Sequence, residues 1–505
     1  MRNDLIILSS LSVIFFSLIL FDVNSYYYSA IGDEYAVFDF ARGIALGNIP
    51  ISFIPESGYI SVFSQKGVYD VVPVASSIFQ AFIMKIFGID HRGWIVSSII
   101  IVLLSVWFFY FLVKDYFGRK IAIVSSLILA SSHYLWAFTH LGYWNIQVFF
   151  PPLAAFFCFF RGVKTKKIIL LFLAGIFSGL GFYTYFSSRL TILLLSLFLL
   201  WNFKQLIQHK KPIAAFFIGF ILLIVPYFLI NKEVVISQMF EHSAVGSTEI
   251  PNNERLAYFF KNLYGSFVAF YQNSKTSHFV SGALIDPVTA AFFSFGLVQM
   301  ILLWRKFYFV IICLIFALVT VGGFSPYIDT AITRLLFLLP IIALISAFGL
   351  LRLIALLSSK IRVISSSSYN LFLIITVLII FILNANHFYY ETPLRMHITP
   401  EALTIKVITS FIPCKSYSTI VYRYFEPLLK PALESYNLLP HVNFMPILTI
   451  LDKIALENKS CVIFVEPKQT LSDKDIQEFI ANGFYLKKFS SPSGNINILV
   501  FFKQN

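Results

Sequence analysis

Long, continuously apolar runs constrain this sequence more than any other feature. A helix that crosses a bilayer needs roughly 20 apolar residues, and the chain contains about eleven runs near that length. The runs do not alternate between apolar and polar residues, which indicates helices rather than the strands of a membrane barrel. Because 58% of the 505 residues are hydrophobic and only 12% are charged, polar groups are too few to cover a soluble globule. The sequence therefore predicts a polytopic α-helical membrane protein. The predicted spans lie at about 5–21, 93–113, 121–138, 146–160, 168–183, 190–203, 213–230, 286–303, 307–322, 334–351 and 370–385.

The net charge of +13 is concentrated in every second short connection between these runs. The basic residues there are Lys114, Arg119, Lys120, Arg161, Lys164, Lys166, Lys167, Lys204, Lys210, Lys211, Arg305, Lys306, Arg352, Lys360 and Arg362. The alternate short connections 139–145, 183–189 and 323–334 carry only Arg189 and Arg334. By the positive-inside rule we expect a cytoplasmic N-terminus and an extracytoplasmic C-terminus in a cell (inner) membrane. Since the charge follows topology, we expect no nucleic-acid partner.

The first outer loop, residues 22–91, contains two adjacent carboxylates just after the first span. Asp33 and Glu34 begin an amphipathic segment, 33–46, and a second short apolar segment covers 74–87; both are predicted to be interfacial helices. Asp33 has two interpretations. It could cap the first of these helices, as Asp often does, or it could act as a general base facing a membrane-bound substrate.

The few other polar residues at the outer ends of the spans are the remaining candidates for a site. They are Asp39, Lys66, Asp70, His140, Tyr143, Trp144, Asn145, Tyr183, Tyr185, Arg189, Asp329, Thr333 and Arg334. A guanidinium at such a position, in Arg189 or Arg334, can hold a phosphate bidentately. The alternatives are snorkelling to the interface and pairing with a carboxylate such as Asp329. His140 has no second histidine at metal-ligand spacing.

A change in composition near residue 387 predicts a domain boundary. Residues 1–386, with a second large outer loop at 231–285, form the membrane domain, and 387–505 form a small extracytoplasmic α/β domain. Its predicted strands are 419–422, 461–465, 484–489 and 496–502, and its predicted helices are 427–436, 446–457 and 472–482. Because the domain has no phosphate loop, we expect an accessory or acceptor-docking role.

The four cysteines divide between the two parts of the chain. Cys158 and Cys313 lie in apolar runs and are expected to be small buried hydrophobes. Cys414 and Cys461 lie in the outer domain, where an oxidising compartment permits a disulfide. Whether they are bonded is left open, because the sequence does not give their geometry.

Several of these segments are similar to a known superfamily. Gly32-Asp33-Glu34-Tyr35-Ala36-Val37-Phe38-Asp39-Phe40-Ala41-Arg42 resembles the Asp-Glu motif of the GT-C glycosyltransferases. These include the protein O-mannosyltransferases and the lipid A aminoarabinose transferases, of the family 39-like type. Further similar segments follow in the same order at 67–73, 80–81, 87–88, 138–145, 181–189, 286–287 and 334–340. The likeness covers about residues 1–385. His140 stands where the family often has arginine.

The resemblance implies an inverting transfer of a sugar from a polyprenyl-phosphate donor to a hydroxyl of a lipid, glycan or protein acceptor. Asp33 would be the base and Glu34 would orient it, while Arg189, Arg334 and Lys66 would neutralise the donor phosphate. The substrate contacts would come from Asp39, His140, Asn145, Tyr183 and Tyr185. No cofactor is certain, although some relatives use a divalent metal held by carboxylates. The alternative function is a transporter or flippase of a lipid-linked sugar or anion, although such proteins usually place polar groups near the bilayer midplane.

Overall fold

The computed structural model describes residues 2–21, 33–48, 74–142, 144–202, 210–241, 251, 253–272, 280–324, 332–360, 366–392, 400–411, 418–422, 442–446, 461–465, 473–490 and 497–503. Each apolar run predicted from the sequence falls on one helix or on two consecutive helices. The helices of the first half are α1 (Arg2–Phe21), α2 (Asp33–Leu46), α3 (Val74–Phe87), α4 (His91–Phe117), α5 (Arg119–Ala130), α6 (His133–Leu141), α7 (Phe150–Thr165), α8 (Ile168–Leu180), α9 (Leu190–Trp201) and α10 (Lys210–Glu241). Those of the second half are α11 (Arg255–Val268), α12 (Pro287–Leu302), α13 (Trp304–Ala317), α14 (Ile332–Leu335), α15 (Leu339–Lys360), α16 (Ser366–Asn386), α17 (Pro400–Ser410) and α18 (Asp473–Ala481).

The protein is an integral membrane protein with six long apolar helical segments in the described part of the chain. These segments are His91–Phe117, Asn145–Thr165, Lys211–Leu229, Trp304–Gly323, Ile332–Ser358 and Asn370–Glu391. The pair α5 and α6, bent by 55°, makes a seventh if it counts as one span. The eleven predicted spans are not confirmed as spans, because the remaining apolar segments of the described residues, such as Leu8–Leu20 within α1, are only 10–17 residues long.

Glycines allow two pairs of helices to pack with their backbones in close approach. A Cβ added to Gly175 of α8 would lie 2.0 Å from the carbonyl oxygen of Phe216 in α10. A Cβ on Gly296 of α12 would lie 2.2 Å from the carbonyl oxygen of Ile345 in α15. Small residues give membrane helices this contact because the bilayer itself supplies little hydrophobic drive for their association.

Three of the basic connections meet at one end of the bundle, which we call the basic end (connections 114–120, 161–167 and 305–306). Arg161 Nη1 lies 3.3 Å from Asp115 Oδ2, and Lys164 Nζ donates to the Asp115 carbonyl at 3.2 Å. The ring of Phe117 stacks on that of Phe307 with centroids 6.0 Å apart. These contacts agree with the predicted alternation of basic connections, which requires that these segments share one face.

The two short helices α2 and α3 have the bounds predicted from the sequence. Val37, Phe38 and Ala41 of α2 are buried with Met84 of α3 and Trp94 of α4. The apolar face of α2 therefore packs against α3 and the beginning of α4, at the end of the bundle opposite the basic end. Residues 49–73, which connect the two helices, lie outside the described residues.

The C-terminal region contains a five-stranded sheet. Its strands are β1 (Ser418–Tyr422), β2 (Val442–Pro446), β3 (Cys461–Val465), β4 (Tyr485–Ser490) and β5 (Asn497–Phe502), in the order β2-β1-β3-β5-β4. β1 is parallel to β2 and β3, and β5 is antiparallel to β3 and β4. Phe479 of α18 packs on a buried cluster from β3 and β5. An α/β arrangement is thus present, while the position of the domain boundary stays a prediction.

Most of the predicted C-terminal elements are confirmed, and β2 was missed. The predicted helix 427–436 lies outside the described residues, and so does 446–457 apart from Pro446, which ends β2. Cys158 and Cys313 are free and buried, as predicted. Cys461 takes part in a disulfide, and Cys414 lies outside the described residues.

Candidate functional site

The helix that begins at Asp33 lies beside the connection 139–148. The rings of Phe38 and Trp94 meet edge to face with centroids 5.4 Å apart. Trp94 also lies against Gly142, where an added Cβ would be 2.9 Å from its ring. Asp33 precedes Phe38 by five residues, about 7.5 Å along a helix axis. The helix that begins at Asp33 thus contacts Trp94, which itself packs on this connection.

The side chains of several predicted site residues lie outside the described part. Asp33, Glu34 and Asp39 are placed only as backbone positions of α2, and Lys66 lies outside the described residues altogether. The predicted roles of these four residues, and the choice between cap and base for Asp33, remain predictions. Among the described residues, no three of His, Cys, Asp and Glu are grouped as a metal site would require.

Two buried amides fasten α3 to the 139–148 connection. Gln80 Nε2 donates to the Gly142 carbonyl at 2.8 Å, and Gln147 Nε2 donates to the Ser76 carbonyl at 3.3 Å. Residues 144–148 of this connection form a 3₁₀ turn. The short helix predicted to flank the site is thus held directly on one of the predicted site segments.

This junction contains buried oxygen atoms that have no hydrogen-bond partner among the described residues. They are Ser76 Oγ, Ser77 Oγ, Gln80 Oε1 and Asn145 Oδ1. Buried polar atoms in folded proteins are nearly always paired with protein groups or ordered water. Several oxygens in one small region therefore suit a ligand that carries hydroxyl groups. Asn145 was predicted from the sequence as a site residue, but the two serines were not, because their only signal is their place in a largely apolar helix.

Arg189 is half-buried in an aromatic slot. Its Nη2 donates to the Tyr227 hydroxyl at 2.8 Å, and its guanidinium carbon lies 5.6 Å from the ring centroids of both Phe182 and Tyr227. Its Nε is buried without a hydrogen-bond partner in the described structure. A guanidinium has five N–H donors, so Arg189 keeps donors for an anion. Tyr227 was missed because a single tyrosine in an apolar run gives no signal of its own.

Tyr183 and Tyr185 have different partners. The Tyr183 hydroxyl donates to the Leu223 carbonyl at 2.8 Å, and its ring meets that of Tyr227 at 5.2 Å. Tyr183 thus supports the wall on which Arg189 rests. The Tyr185 hydroxyl donates to Thr333 Oγ1 at 3.1 Å.

The hydrogen bond of Tyr185 joins the segment that carries Arg189 to the one that carries Arg334. Thr333 and Arg334 lie in α14, and Arg334 is only 6% exposed. The Tyr134 hydroxyl donates to the Ile332 carbonyl of the same helix. Two distant stretches of sequence that each supply one outer arginine are therefore in direct contact. Asp329, the predicted alternative partner of Arg334, lies outside the described residues.

His140 and Asn145 are both almost fully buried, at 1% exposure. The His140 ring lies 6.1 Å from the ring centroid of Phe388, which follows α16. His140 therefore lies deeper in the bundle than a surface ligand would, and its predicted contact with substrate stays a prediction.

A buried polar network near the bend between α5 and α6 was not anticipated. Asp286 caps α12 by accepting from the backbone nitrogens of Val288 and Thr289. Its Oδ2 accepts from Asn384 Nδ2 at 2.9 Å, and Asn384 Oδ1 lies 2.7 Å from His133 Nδ1. The network ties the end of the second large loop to the bend.

Comparisons with known proteins give the family resemblance. The family model described as dolichyl-phosphate-mannose-protein mannosyltransferase matches residues 71–229, which include α3, Asn145, Arg189 and Tyr227. The structure of ArnT from Cupriavidus metallidurans bound to undecaprenyl phosphate is similar, with a TM-score of 0.54, 11% identity, and coverage of 97% of each chain. The resemblance to GT-C glycosyltransferases is confirmed. At this level of identity the structural likeness shows the GT-C fold.

Two further solved structures are more distant. ArnT from Cupriavidus metallidurans in the apo state has a TM-score of 0.49 at 11% identity, covering 93% of this chain and 92% of that one. The Archaeoglobus fulgidus oligosaccharyltransferase complex with Zn and sulfate has a TM-score of 0.45 at 12% identity, covering 97% and 72%. No curated protein matches the sequence.

Proposed function

We propose that this protein is an inverting glycosyltransferase that moves a sugar from a polyprenyl-phosphate donor to an acceptor hydroxyl at the outer face of the membrane. The observation that carries the proposal is the contact between Tyr185 and Thr333, which joins the segments of Arg189 and Arg334. Two guanidinium groups at one end of an apolar bundle suit the phosphate of a lipid that stays in the bilayer. The GT-C fold and the matched family model support the same reaction class.

The proposed reaction is a single displacement at the anomeric carbon. The acceptor oxygen attacks from the face opposite the phosphate while Asp33 takes its proton, with Glu34 orienting Asp33. The bond between the anomeric carbon and the phosphate oxygen breaks, and its electron pair goes to the polyprenyl phosphate. Arg189 and Arg334, with Lys66, stabilise the charge that develops there.

The oxygens at the junction of α3 and the 139–148 connection supply the proposed sugar pocket. Ser76, Ser77, Gln80 and Asn145 offer oxygens that a sugar hydroxyl can bond to. Each such contact favours one sugar over an analogue that lacks the hydroxyl, since the buried oxygen would then stay unpaired. Asp39, Tyr183, Tyr185 and His140 complete the proposed substrate contacts.

The proposed position of the site outside the cytoplasm explains why the proposed sugar donor is linked to a lipid. With a cytoplasmic N-terminus, the site lies outside the cytoplasm, where we expect no sugar nucleotide. The sugar must then arrive on a membrane-anchored carrier. The domain from residue 387 onward lies on the same side in this topology and is proposed to position a lipid, glycan or protein acceptor.

The decisive experiment substitutes the proposed base. Asp33→Asn should lower transfer from undecaprenyl-phosphate-linked sugars by about 10²- to 10⁴-fold, the range that a general base contributes. Transfer is measured with purified full-length protein, a panel of such donors and lipid, glycan or protein acceptors, as the acceptor-dependent release of undecaprenyl phosphate. The matched control is Asp473→Asn on the exposed first turn of α18, which should leave the rate unchanged. Full activity of Asp33→Asn would show that another group is the base.

The transporter alternative has one observation in its favour. The 55° bend between α5 and α6, with the buried polar network beside it, resembles the broken helices of transporters. A transporter would move a fluorescent lipid-linked sugar across reconstituted vesicles without breaking its glycosidic bond. Release of undecaprenyl phosphate in the assay above separates the two functions.

A further inference from the structure

A large apolar cavity has its basic lining residues at the basic end of the bundle and extends inward as far as Val148 and Phe337. Its volume is about 560 Å³, and it lies between α4, α7, α13 and α15. Its walls are largely aromatic and aliphatic, and include Phe109, Leu153, Phe156 and Val310. A volume of roughly 300–1,000 Å³ is usual for small-molecule sites.

The mouth of the cavity is basic. Lys164 and Lys306 both line it, together with the phenol rings of Tyr116 and Tyr308. The Lys164 ammonium lies 5.7 Å from the centroid of the Tyr116 ring. Both lysines are exposed, so their charges face the medium at the membrane surface.

One acidic residue shares this mouth, and its charge is compensated. Asp115 lines the cavity, and its Oδ2 lies 3.3 Å from Arg161 Nη1. Its carbonyl accepts from Lys164. With Asp115 matched by Arg161, the charges of Lys164 and Lys306 remain in excess at the opening. The mouth therefore favours an anion.

The surroundings of the cavity identify the class of ligand. The side chains around an empty void lack the dispersion contacts that a filling group would give them. Around a membrane helix bundle, the groups available to fill an apolar void are lipid chains. Basic pockets between membrane helices bind the head groups of anionic lipids. We propose that the cavity binds an acyl chain of an anionic phospholipid, with Lys164 and Lys306 holding its phosphate.

This lipid differs from the proposed sugar donor in the position of its phosphate. The donor phosphate would bind Arg189 and Arg334, at the end opposite the basic end. The inner part of the cavity is lined by Val148, three residues after Asn145, and by Phe337, three residues after Arg334. Lys164 lies at the other end of α7. The 16 residues of α7 span about 24 Å. One phosphate cannot serve both sites.

The experiment uses a photoreactive lipid as the probe. Phosphatidylglycerol with a diazirine in one acyl chain is added to full-length protein in phosphatidylcholine vesicles, and labelled peptides are identified by mass spectrometry. We expect label on α7 and α13. The double variant Lys164→Gln/Lys306→Gln should lower that labelling by about 25-fold at low probe concentration. Each basic residue that attracts an anionic lipid head group contributes about a fivefold factor to the binding constant.

Two further variants make the test specific. Leu153→Trp fills the cavity and should abolish the labelling of α13, while Lys167→Gln/Arg305→Gln removes two exposed charges at the same end that do not line the cavity and should change nothing. Unchanged labelling in the Lys164/Lys306 variant would overturn the proposal. So would equal labelling by a phosphatidylcholine probe, or displacement of the label by undecaprenyl phosphate, which would assign the cavity to the donor chain.

Discussion

Arg189 shows how one side chain can be held ready for an anion. The aromatic rings of Phe182 and Tyr227 flank its guanidinium, and a single hydrogen bond to Tyr227 fixes its orientation. A planar guanidinium can stack on rings and still donate in its own plane, which an ammonium cannot do. A lysine at this position would therefore keep the positive charge of Arg189 but lose its stacked, planar set of donors.

Arg189→Lys keeps the charge but loses the planar donor set, so transfer should fall by about 10- to 100-fold, and the donor KM should rise. Steady-state rates with an undecaprenyl-phosphate-linked sugar measure both quantities. Tyr227→Phe removes only the hydroxyl that accepts from Arg189, and it should have the smaller effect. Equal rates for Arg189→Lys and the parent protein would exclude a phosphate-binding role.

At the level of elements, the 139–148 connection depends on a close approach to Trp94. Gly142 has φ of +65°, and an added Cβ would lie 2.9 Å from the indole ring. Gly47, which follows α2, also has a positive φ, of +80°, and closes the helix with the Gly47 N to Ile44 carbonyl hydrogen bond, but a Cβ there would meet nothing within 4 Å. A residue with a Cβ would therefore have a strained backbone at either position, but only at position 142 would its Cβ also meet a side chain.

These two glycines give a matched pair of variants. Gly47→Ala should cost about 1–2 kcal/mol from left-handed backbone strain alone. Gly142→Ala should cost a further 1–3 kcal/mol or so, because the methyl group overpacks the contact with Trp94. Thermal unfolding in detergent measures the difference. Equal melting temperatures for the two variants would show that Trp94 moves aside freely.

The sequence predicted elements whose signals are local and missed those that depend on distant partners. The bounds of α2 and α3 were predicted because each is a short apolar segment with polar residues around it. The network of His133, Asn384 and Asp286 was missed because its members lie 251 and 98 residues apart. β2 was missed because a five-residue strand ending in Pro446 has little β signal of its own. The number of spans was not confirmed, since composition predicts an apolar helix without fixing how much of the bilayer it crosses.

At the scale of the whole molecule, the two ends of the bundle differ in the charged and polar groups that they contain. The basic end contains Asp115 with Arg161 and Lys164, and the opposite end contains the buried oxygens and the two arginines. By the positive-inside rule we propose that the basic end faces the cytoplasm. The proposed sugar transfer requires this orientation, because only the opposite face lacks nucleotide-activated sugars.

The orientation can be tested with two cysteine variants. Lys167→Cys, at the basic end, and Lys487→Cys, exposed on β4, should react with a membrane-impermeant maleimide from opposite sides of the membrane. We expect Lys487→Cys to be labelled in intact cells and Lys167→Cys only after permeabilisation. The native free cysteines Cys158 and Cys313 are buried, which keeps the background low. Labelling of both variants in intact cells would place them on the same side and contradict the proposed topology.

The contact between Tyr185 and Thr333 links two neutral hydroxyl groups. Added salt weakens attraction between exposed ions over a distance of about 10 Å at 0.1 M, but it leaves a bond between uncharged partners almost untouched. Changes in ionic strength should therefore alter how fast an anionic lipid reaches the arginines, while the scaffold that carries them keeps its shape.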